Sequence, residues 1–185
     1  MSESKRKSRL PRTGTLVLIA VVLLIGGGAL MVWLPYHRNQ VAIAEVERHG
    51  GRAYSEIVRP AWIPDAVDDG RLWVFERVIR VDLAVTQFSD EGLGYLQGLT
   101  NLNHLDLFDT QVTDAGLKHL RGQTNLQFLD LTSTHVSDLG LRHLQKLLSL
   151  ESLLIGQTQV TQAGIDELQK ALPHCSISDA LRTGR

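Results

Sequence analysis

Residues 102–120 read LNHLDLFDTQVTDAGLKHL, and this stretch decides the fold. Its apolar residues have the spacing L-x-x-L-x-L-x-x-T-x-V, which is followed by the segment D-A-G-L-x-x-L. The same pattern returns every 24 residues, in the segments 78–96, 126–144 and 150–168. Four copies that share six apolar columns, one threonine column and one glycine column form a repeat, and a fixed period of this length predicts a stack of similar structural units.

Each copy predicts a short strand followed by a helix. Leu105 and Leu107 alternate with polar neighbours, which is typical of a strand with one buried face. Leu117 and Leu120 are three positions apart, which is the spacing of one helical face. One such unit cannot bury its apolar side alone, so at least three units must stack, and this chain has four.

The residues at the start of each predicted helix indicate how the helix begins. A Ser or Thr at this point can cap the helix, and an acidic residue in the first turn suits the positive end of the helix dipole. The predicted caps are Ser89, Thr113, Ser137 and Thr161, and the acidic residues are Asp90, Asp114 and Asp138. The first turn also contains the glycine column, which consists of Gly92, Gly116, Gly140 and Gly164. Because glycine costs roughly 1 kcal/mol in a helix interior, its repetition predicts a packing requirement.

A threonine column follows the predicted strands and consists of Thr86, Thr110, Thr134 and Thr158. Repeats of this kind often have Asn or Cys at the same position. We interpret the threonines as an internal ladder of hydroxyl groups that satisfies backbone groups of the loops, and not as a catalytic set.

These motifs resemble leucine-rich repeats of the ribonuclease-inhibitor-like class, in the short variety that also forms F-box receptor solenoids. Residues 41–178 are most similar to small membrane-anchored bacterial proteins built from T-x-V-T-D-A-G-L-x-x-L units. The resemblance implies an α/β fold, a right-handed β/α leucine-rich-repeat solenoid of about four repeats, with a parallel sheet on its concave side and a binding role. No segment of the sequence is similar to an F-box, so a ubiquitin-ligase role is not implied.

The N-terminal part of the chain predicts a membrane anchor. Residues 1–13 contain five basic residues and one acidic residue. Residues 16–34 contain no charge, and as a helix they would span about 28 Å, close to the hydrocarbon thickness of a bilayer. We therefore predict a basic cytoplasmic tail at 1–13 and a transmembrane helix, in contact with the lipid bilayer, at 14–36. The positive-inside rule then places the N-terminus in the cytoplasm and the repeats outside it.

Two alternatives stay open for the apolar segment. A cleaved signal peptide has an apolar core of about 7–15 residues, and Gly27-Gly28-Ala29 offers a small-residue cleavage site. The segment could also be a buried core helix. The length of the uncharged run favours a retained anchor.

The rest of the chain divides into a cap, the repeats and a tail. Residues 41–77 are predicted to form an N-terminal cap, which a solenoid needs to cover its first open face. Within it we expect a helix at 40–49 and a strand at 52–58, with Trp62 and Trp73 as packing residues. The repeats occupy 78–178, with a last strand at Ser176–Ser178, and residues 179–185 are predicted to be a flexible tail.

The sequence indicates a protein that is not an enzyme and that uses no cofactor or metal. It contains no HExxH, GxSxG or P-loop pattern. Cys175 is the only cysteine and is predicted to be a buried structural thiol. The histidines are scattered, although His119 and His143 share one helix column. Beyond the N-terminal tail, residues 35–185 contain 14 basic and 19 acidic side chains, so we predict no nucleic-acid partner.

The candidate binding surface is the predicted concave face of the sheet. Its outward positions flank the buried leucines, and the residues that we expect to contact a partner are Arg80, Asp82, His104, Asp106, Phe108, Phe128, Asp130, Thr132 and Leu154. Three of them, Asp82, Asp106 and Asp130, form one column about 5 Å apart, where carboxylates repel one another and favour a countercharge. The other interpretation of this column is a purely structural role, because Asp is common there in this class of repeat.

The aromatic residues of this surface suggest what it binds. Phe108 and Phe128 should face solvent on adjacent strands, where large aromatic residues are uncommon without a use. An apolar anchor beside charge concentrates binding energy in many interfaces, so we predict a protein or peptide ligand. The alternative function is structural, in which the protein self-associates as a part of the cell envelope without a dedicated ligand.

Overall fold

The computed structural model describes residues 36–58 and 76–179. The chain divides into two compact units, 1–34 and 35–185. The predicted transmembrane helix at 14–36 lies outside the described residues except for its last residue, as do the basic tail, Trp62 and Trp73. Among the described residues, no helix has both the length and the apolar character needed to cross a bilayer.

The described part alternates strands and helices in the order that the repeat predicts. Residues 36–48 form the first helix, α1. The strands are β1 (Arg52–Ile57), β2 (Glu76–Asp82), β3 (His104–Asp106), β4 (Phe128–Asp130), β5 (Ser152–Leu154) and β6 (Ser176–Ser178). The further helices are α2 (Asp90–Leu96), α3 (Asp114–Leu117), α4 (Asp138–Leu141) and α5 (Gln162–Ala171), and a 3-10 helix at Lys118–Gly122 continues α3. The predictions of a helix near 40–49, a strand near 52–58 and a last strand at Ser176–Ser178 are confirmed.

All six strands form one sheet in sequence order. Strands β2 to β6 are parallel, with each residue paired to the residue 24 positions later. Strand β1 is antiparallel to β2. Gly50 has a φ of 81°, and a Cβ atom at Gly51 would lie 2.7 Å from the carbonyl oxygen of Asp82, so these glycines let the chain enter β1 close beside the end of β2. The assignment of residues 41–77 as a cap stays a prediction, since 59–75 are outside the described residues.

The core lies between the sheet and the helices. Each unit contributes one fully buried residue at the equivalent strand position, and β2 adds Val78; the residues of that column are Val81, Leu105, Leu129 and Leu153. Its helix contribution is the column Leu93, Leu117, Leu141 and the buried leucines that follow it. A fully buried Leu contributes about 1.5–3 kcal/mol relative to an exposed one, so each added repeat extends one continuous core.

The helix caps agree with the sequence in three of four repeats. The side chains of Thr113, Ser137 and Thr161 each accept a hydrogen bond from a backbone N–H in the first turn. Ser89 occupies the N-cap position of α2, as predicted, but its side chain makes no such bond.

The aspartate after each cap has a role that the repeat pattern did not reveal. Asp114 Oδ1 accepts a hydrogen bond from the backbone N–H of Ser137 at 2.7 Å, and Asp114 Oδ2 accepts one from the Ser137 hydroxyl at 2.6 Å. Asp90 and Asp138 bind the equivalent residues of the following repeats, Thr113 and Thr161, in the same way. We call these three contacts the inter-repeat bridges. These aspartates were expected to interact with the helix dipole. They also form direct hydrogen bonds from one repeat to the next.

The glycine column makes room for the inter-repeat bridges. A Cβ atom at Gly140 would overlap Asp114 Oδ1 and lie 3.0 Å from Val136 Cγ1. At Gly164 it would overlap the Asp138 carboxylate, with Asp138 Cγ only 2.5 Å away. The predicted packing requirement is confirmed. Its cause at Gly116, Gly140 and Gly164 is the carboxylate of the preceding repeat, whereas at Gly92 a Cβ atom would overlap the ring of Phe88.

The threonine column has the predicted structural role. Each hydroxyl donates a hydrogen bond to the backbone carbonyl three residues earlier, at 2.6–2.8 Å, within the turn that follows each strand from β2 to β5. Thr110 and Thr134 are buried, and Thr86 and Thr158 are half-buried. Each turn therefore pairs its hydroxyl with a carbonyl, which avoids the cost of an unsatisfied polar group.

A column of residues with left-handed backbone conformation lies in the same turns. Val85, Asp109, Ser133 and Gln157 have φ values of 51–59°. Asp and Asn tolerate this region, whereas a β-branched residue does not. Val85 is therefore the strained member of the column, and 67% of its surface is exposed.

Replacing Val85 with Asn is expected to raise the free energy of unfolding by about 1 kcal/mol, because Asn enters the left-handed region at lower cost. Equilibrium denaturation of the full chain in neutral detergent would measure the change. The matched comparison is Val85→Ala, which removes the β-branch but lacks the polar side chain that favours the left-handed region, so we expect a smaller gain. The absence of any gain in the Asn variant would contradict a conformational cause.

Candidate functional site

The pairing of the strands arranges the outward side chains in two rows on the face of the sheet opposite the buried leucines. We call this surface the open face. The first row is Tyr54, Arg80, His104, Phe128, Ser152 and Ser176. The second row is Arg52, Asp82, Asp106, Asp130, Leu154 and Ser178. The structure thus brings together, on one face, all the strand residues that the sequence proposed as contacts.

Each of the three aspartates in the second row uses one carboxylate oxygen to hold the loop that follows its strand. Oδ1 of Asp82, Asp106 and Asp130 accepts a hydrogen bond from the backbone N–H two residues later, at 2.7–3.2 Å. Within residues 36–58 and 76–179, Oδ2 of these carboxylates makes no hydrogen bond. Each aspartate therefore shapes its loop with one oxygen and presents the other on the open face.

Burial and mutual repulsion both act on the middle carboxylate. The pKa of Asp106 is raised, first by burial and further by Asp130 and Asp82, while the hydrogen bond from Phe108 and the charge of His104 oppose the shift. The pKa of His104 is lowered, first by burial and next by Arg80, although the three aspartates oppose the change. An imidazole that is harder to protonate supplies less positive charge, so a cationic group from a partner would relieve the repulsion in this row.

The first row contains two aromatic contacts. The rings of His104 and Phe128 are stacked, with centroids 4.2 Å apart and an interplanar angle of 5°. At the other end of the row, the guanidinium carbon of Arg80 lies 5.6 Å from the centre of the Tyr54 ring. Phe128 is consequently half-buried, whereas the sequence predicted that it would face solvent.

The loop ends of the strands extend the open face. Phe108 is 36% exposed, as predicted, and Thr132 and Leu154 are half-buried. Gly156, which the repeat also places at an outward position, is buried. The backbone remains paired here, since the amide of Val85 donates to the carbonyl of Phe108 at 2.8 Å.

Sequence reasoning missed two residues of the open face, Arg52 and Tyr54. They belong to β1, which pairs antiparallel and has a register shift between Tyr54 and Ser55. The repeat spacing does not extend to this strand, so no signal in the sequence set its register.

The other chemically active residues lie elsewhere. Cys175 is buried, and burial raises the pKa of its thiol to about 11, which agrees with the predicted structural role. Nδ1 of His143 accepts a hydrogen bond from Nε of Arg121 at 3.2 Å on the helical side of the solenoid. In the described part of the chain, no three His, Cys, Asp or Glu side chains are grouped as metal ligands would be.

Comparison with known proteins identifies the repeat. Residues 98–120 and 122–144 match the family described as Leucine Rich repeat. Two of the units seen in the structure are therefore leucine-rich repeats, and the α/β fold with parallel strands agrees with this assignment. No curated protein matches the chain.

Several solved structures are similar to parts of the chain. Internalin C2 of Listeria monocytogenes is 28% identical over 50% of this chain and 41% of its own, with a TM-score of 0.39. The leucine-rich repeat ectodomain of the receptor kinase SOBIR1 of Arabidopsis thaliana is 14% identical over 76% of this chain and 90% of its own, with a TM-score of 0.44. An internalin encoded by inlF of L. monocytogenes is 22% identical over 46% of this chain, which spans 31% of that protein, with a TM-score of 0.33.

Proposed function

We propose that this leucine-rich repeat protein binds a protein or peptide segment through the open face. The observation that carries the proposal is the row of carboxylates, each with one oxygen outside the hydrogen bonds of the fold, beside the His104–Phe128 stack and the exposed Phe108. Leucine-rich repeats commonly mediate contacts between proteins, which supports this class of ligand.

The chemistry of the open face suggests the composition of the ligand. The carboxylates of the acidic row form no ion pair within the described residues, so the row favours Lys or Arg. Phe108 offers a contact for an apolar side chain next to it. Neighbouring strands are about 5 Å apart, so six strands give a footprint suited to a short extended segment or a single loop. We infer a ligand segment in which a basic residue adjoins an apolar one.

The test is selection of short random displayed peptides on the full chain in neutral detergent. Enriched peptides should combine a basic and an apolar residue, and Phe108→Glu or Asp106→Lys should weaken their binding about tenfold or more. Matched controls are Leu139→Glu and Asp166→Lys, which make the same changes at exposed positions of α4 and α5. Equal binding by the Phe108→Glu chain and the Leu139→Glu chain would show that the open face is the wrong surface.

The pH dependence of binding gives a second readout. A cationic ligand group prefers the ionised Asp106, whose pKa is raised. Affinity should therefore fall as the pH is lowered through that pKa, since protonation removes the charge that the ligand contacts. Protonation of His104 in the acidic range adds to the loss. If the protein enriches no peptide and forms concentration-dependent oligomers, the structural alternative is favoured.

We also propose that the protein is anchored by a single transmembrane helix at 14–36, with its repeats outside the cytoplasm. The support is the uncharged run at 16–34 after five basic residues. Labelling intact cells with a membrane-impermeant maleimide tests this topology. A cysteine placed at Ala163 should react at once and one placed at Ser4 only after lysis, while the buried Cys175 with its raised pKa contributes little background. The opposite labelling pattern would overturn the topology.

A further inference from the structure

The helical side of the first two repeats contains a cavity where α1 lies against it. The cavity has a volume of about 510 Å³. Four of its lining side chains are basic, namely His37, Arg38, Lys118 and Arg121, and two more, Tyr95 and Gln97, can donate hydrogen bonds. We call it the basic cavity. It is separate from the open face, which lies on the other side of the buried leucines.

The positive charge of the basic cavity contrasts with the overall composition of residues 35–185, which is acidic. None of the ten described residues that line it is acidic. Residues 35–185 as a whole contain more acidic side chains, 19, than basic ones, 14. Three arginine or lysine side chains around one cavity without an acidic neighbour in its lining is the arrangement expected where an anion binds.

Three of the residues that line the basic cavity are glycines, namely Gly94, Gly98 and Gly122. A Cβ atom at Gly98 would lie 2.9 Å from Arg38 Cδ, so this glycine allows the Arg38 stem to lie against the backbone. A Cβ atom at Gly122 would meet no atom within 4 Å, so the space beside it is empty. The cavity can therefore accept a ligand group next to the guanidinium groups.

His143 lies next to Arg121, one of the residues that line the basic cavity. The pKa of His143 is lowered, first by burial and next by Arg121, and Lys118 adds to the effect while Asp114 opposes it. The same His143 receives the hydrogen bond from Arg121, which holds that guanidinium at the edge of the cavity. Arginine has five N–H donors, so further donors remain for an anion.

We propose that the basic cavity binds a phosphate group supplied by the headgroup of an anionic phospholipid. Guanidinium groups match phosphate oxygens in geometry and charge, and the Tyr95 hydroxyl and Gln97 amide add neutral donors. His37 and Arg38 directly follow the predicted transmembrane helix at 14–36, which keeps them at the level of the headgroups. The lipid source rests on the proposed anchor, whereas the phosphate site rests on the cavity alone.

The test uses the full chain in neutral detergent and follows the Nε–H NMR signal of Arg121 at constant ionic strength. The titrants are dihexanoyl phosphatidylglycerol, dihexanoyl phosphatidylcholine, glycerol 1-phosphate and inorganic phosphate. We expect saturable shifts with the anionic compounds and tightest binding of dihexanoyl phosphatidylglycerol. Equally tight binding of inorganic phosphate would overturn the lipid source, and an acidic peptide that binds more tightly than every phosphate would overturn the ligand class.

Variants separate the site from general surface charge. Arg38→Gln combined with Lys118→Gln should weaken phosphatidylglycerol binding about tenfold or more, because charged hydrogen bonds are lost. Gly122→Glu should have at least the same effect, since it places a carboxylate in the cavity without a steric clash. Lys170→Gln, at an exposed lysine of α5 outside the lining, is the matched control and should change nothing. Equal losses in the control, or no saturable shift with any titrant, would overturn the site. Neither result depends on whether the maleimide test supports the anchor.

Discussion

Replacing Asp114 with Ala is expected to lower the free energy of unfolding by about 3 kcal/mol. The substitution removes both hydrogen bonds of an inter-repeat bridge, at 2.7 and 2.6 Å, and each bond to a charged group contributes about 1.5–3 kcal/mol. It also leaves the backbone N–H of Ser137 without its acceptor in a half-buried position. Equilibrium denaturation of the full chain, followed by circular dichroism, measures the loss.

The control for this change is Asp114→Asn. The amide oxygen can still accept one hydrogen bond from Ser137, while the charge and the second acceptor are lost, so we expect a smaller loss of about 1–2 kcal/mol. Hydrogen exchange adds a spatial readout. Because solenoid repeats contact only their neighbours, amides of α4 and the following repeat should lose protection more than those of α2. A uniform loss along the chain, or equal effects of Ala and Asn, would contradict the bridge as the cause.

Replacing Gly164 with Ala is expected to lower the free energy of unfolding by about 2 kcal/mol, because the new methyl group overlaps the Asp138 carboxylate. All three nearest atoms to a Cβ at this position belong to Asp138. The same denaturation experiment measures the effect. The matched control is Gly122→Ala, whose methyl group meets no atom within 4 Å and which should be neutral or slightly stabilising.

A double-mutant cycle identifies the atom pair responsible. In an Asp138→Ala background the overlap is gone, so Gly164→Ala should then cost little, and the coupling should amount to about 1–2 kcal/mol. If Gly164→Ala cost the same in both backgrounds, the glycine would be required for a different reason, such as the backbone conformation of the turn.

The architecture was predictable because the 24-residue period appears in the apolar residues that are needed to form the core. A buried strand position accepts only an apolar side chain, and every unit repeats the position, so columns such as Leu105 and Leu129 stand out. The threonine ladder was predictable for the same reason, since its partner is a backbone carbonyl of its own turn. Element lengths were less predictable, and α3 and α4 have only four residues each.

The candidate site was predictable only in part. Alternation along the strands placed Asp106 and Phe108 on one face, and the parallel register aligned them with Asp130 and Thr132. Arg52 and Tyr54 were missed because β1 lies outside the repeat and pairs antiparallel to β2, with a register shift after Tyr54. The stack of His104 on Phe128 was missed because ring orientation depends on contacts between strands.

The sequence by itself determined the unit, its period, the buried columns and the side of the sheet that is left open, because these follow from the local spacing of apolar residues. Only the tertiary structure showed which contacts are made by the polar residues that recur in each repeat. Asp114 and Gly140 are 26 positions apart and meet only when two units stack. Arg38 comes to line one cavity with Lys118 and Arg121 only when α1 lies against the repeats. Contacts of this kind join residues that are far apart in the sequence. The inter-repeat bridges and the basic cavity are therefore visible in the structure but cannot be predicted from the spacing of residues in the sequence.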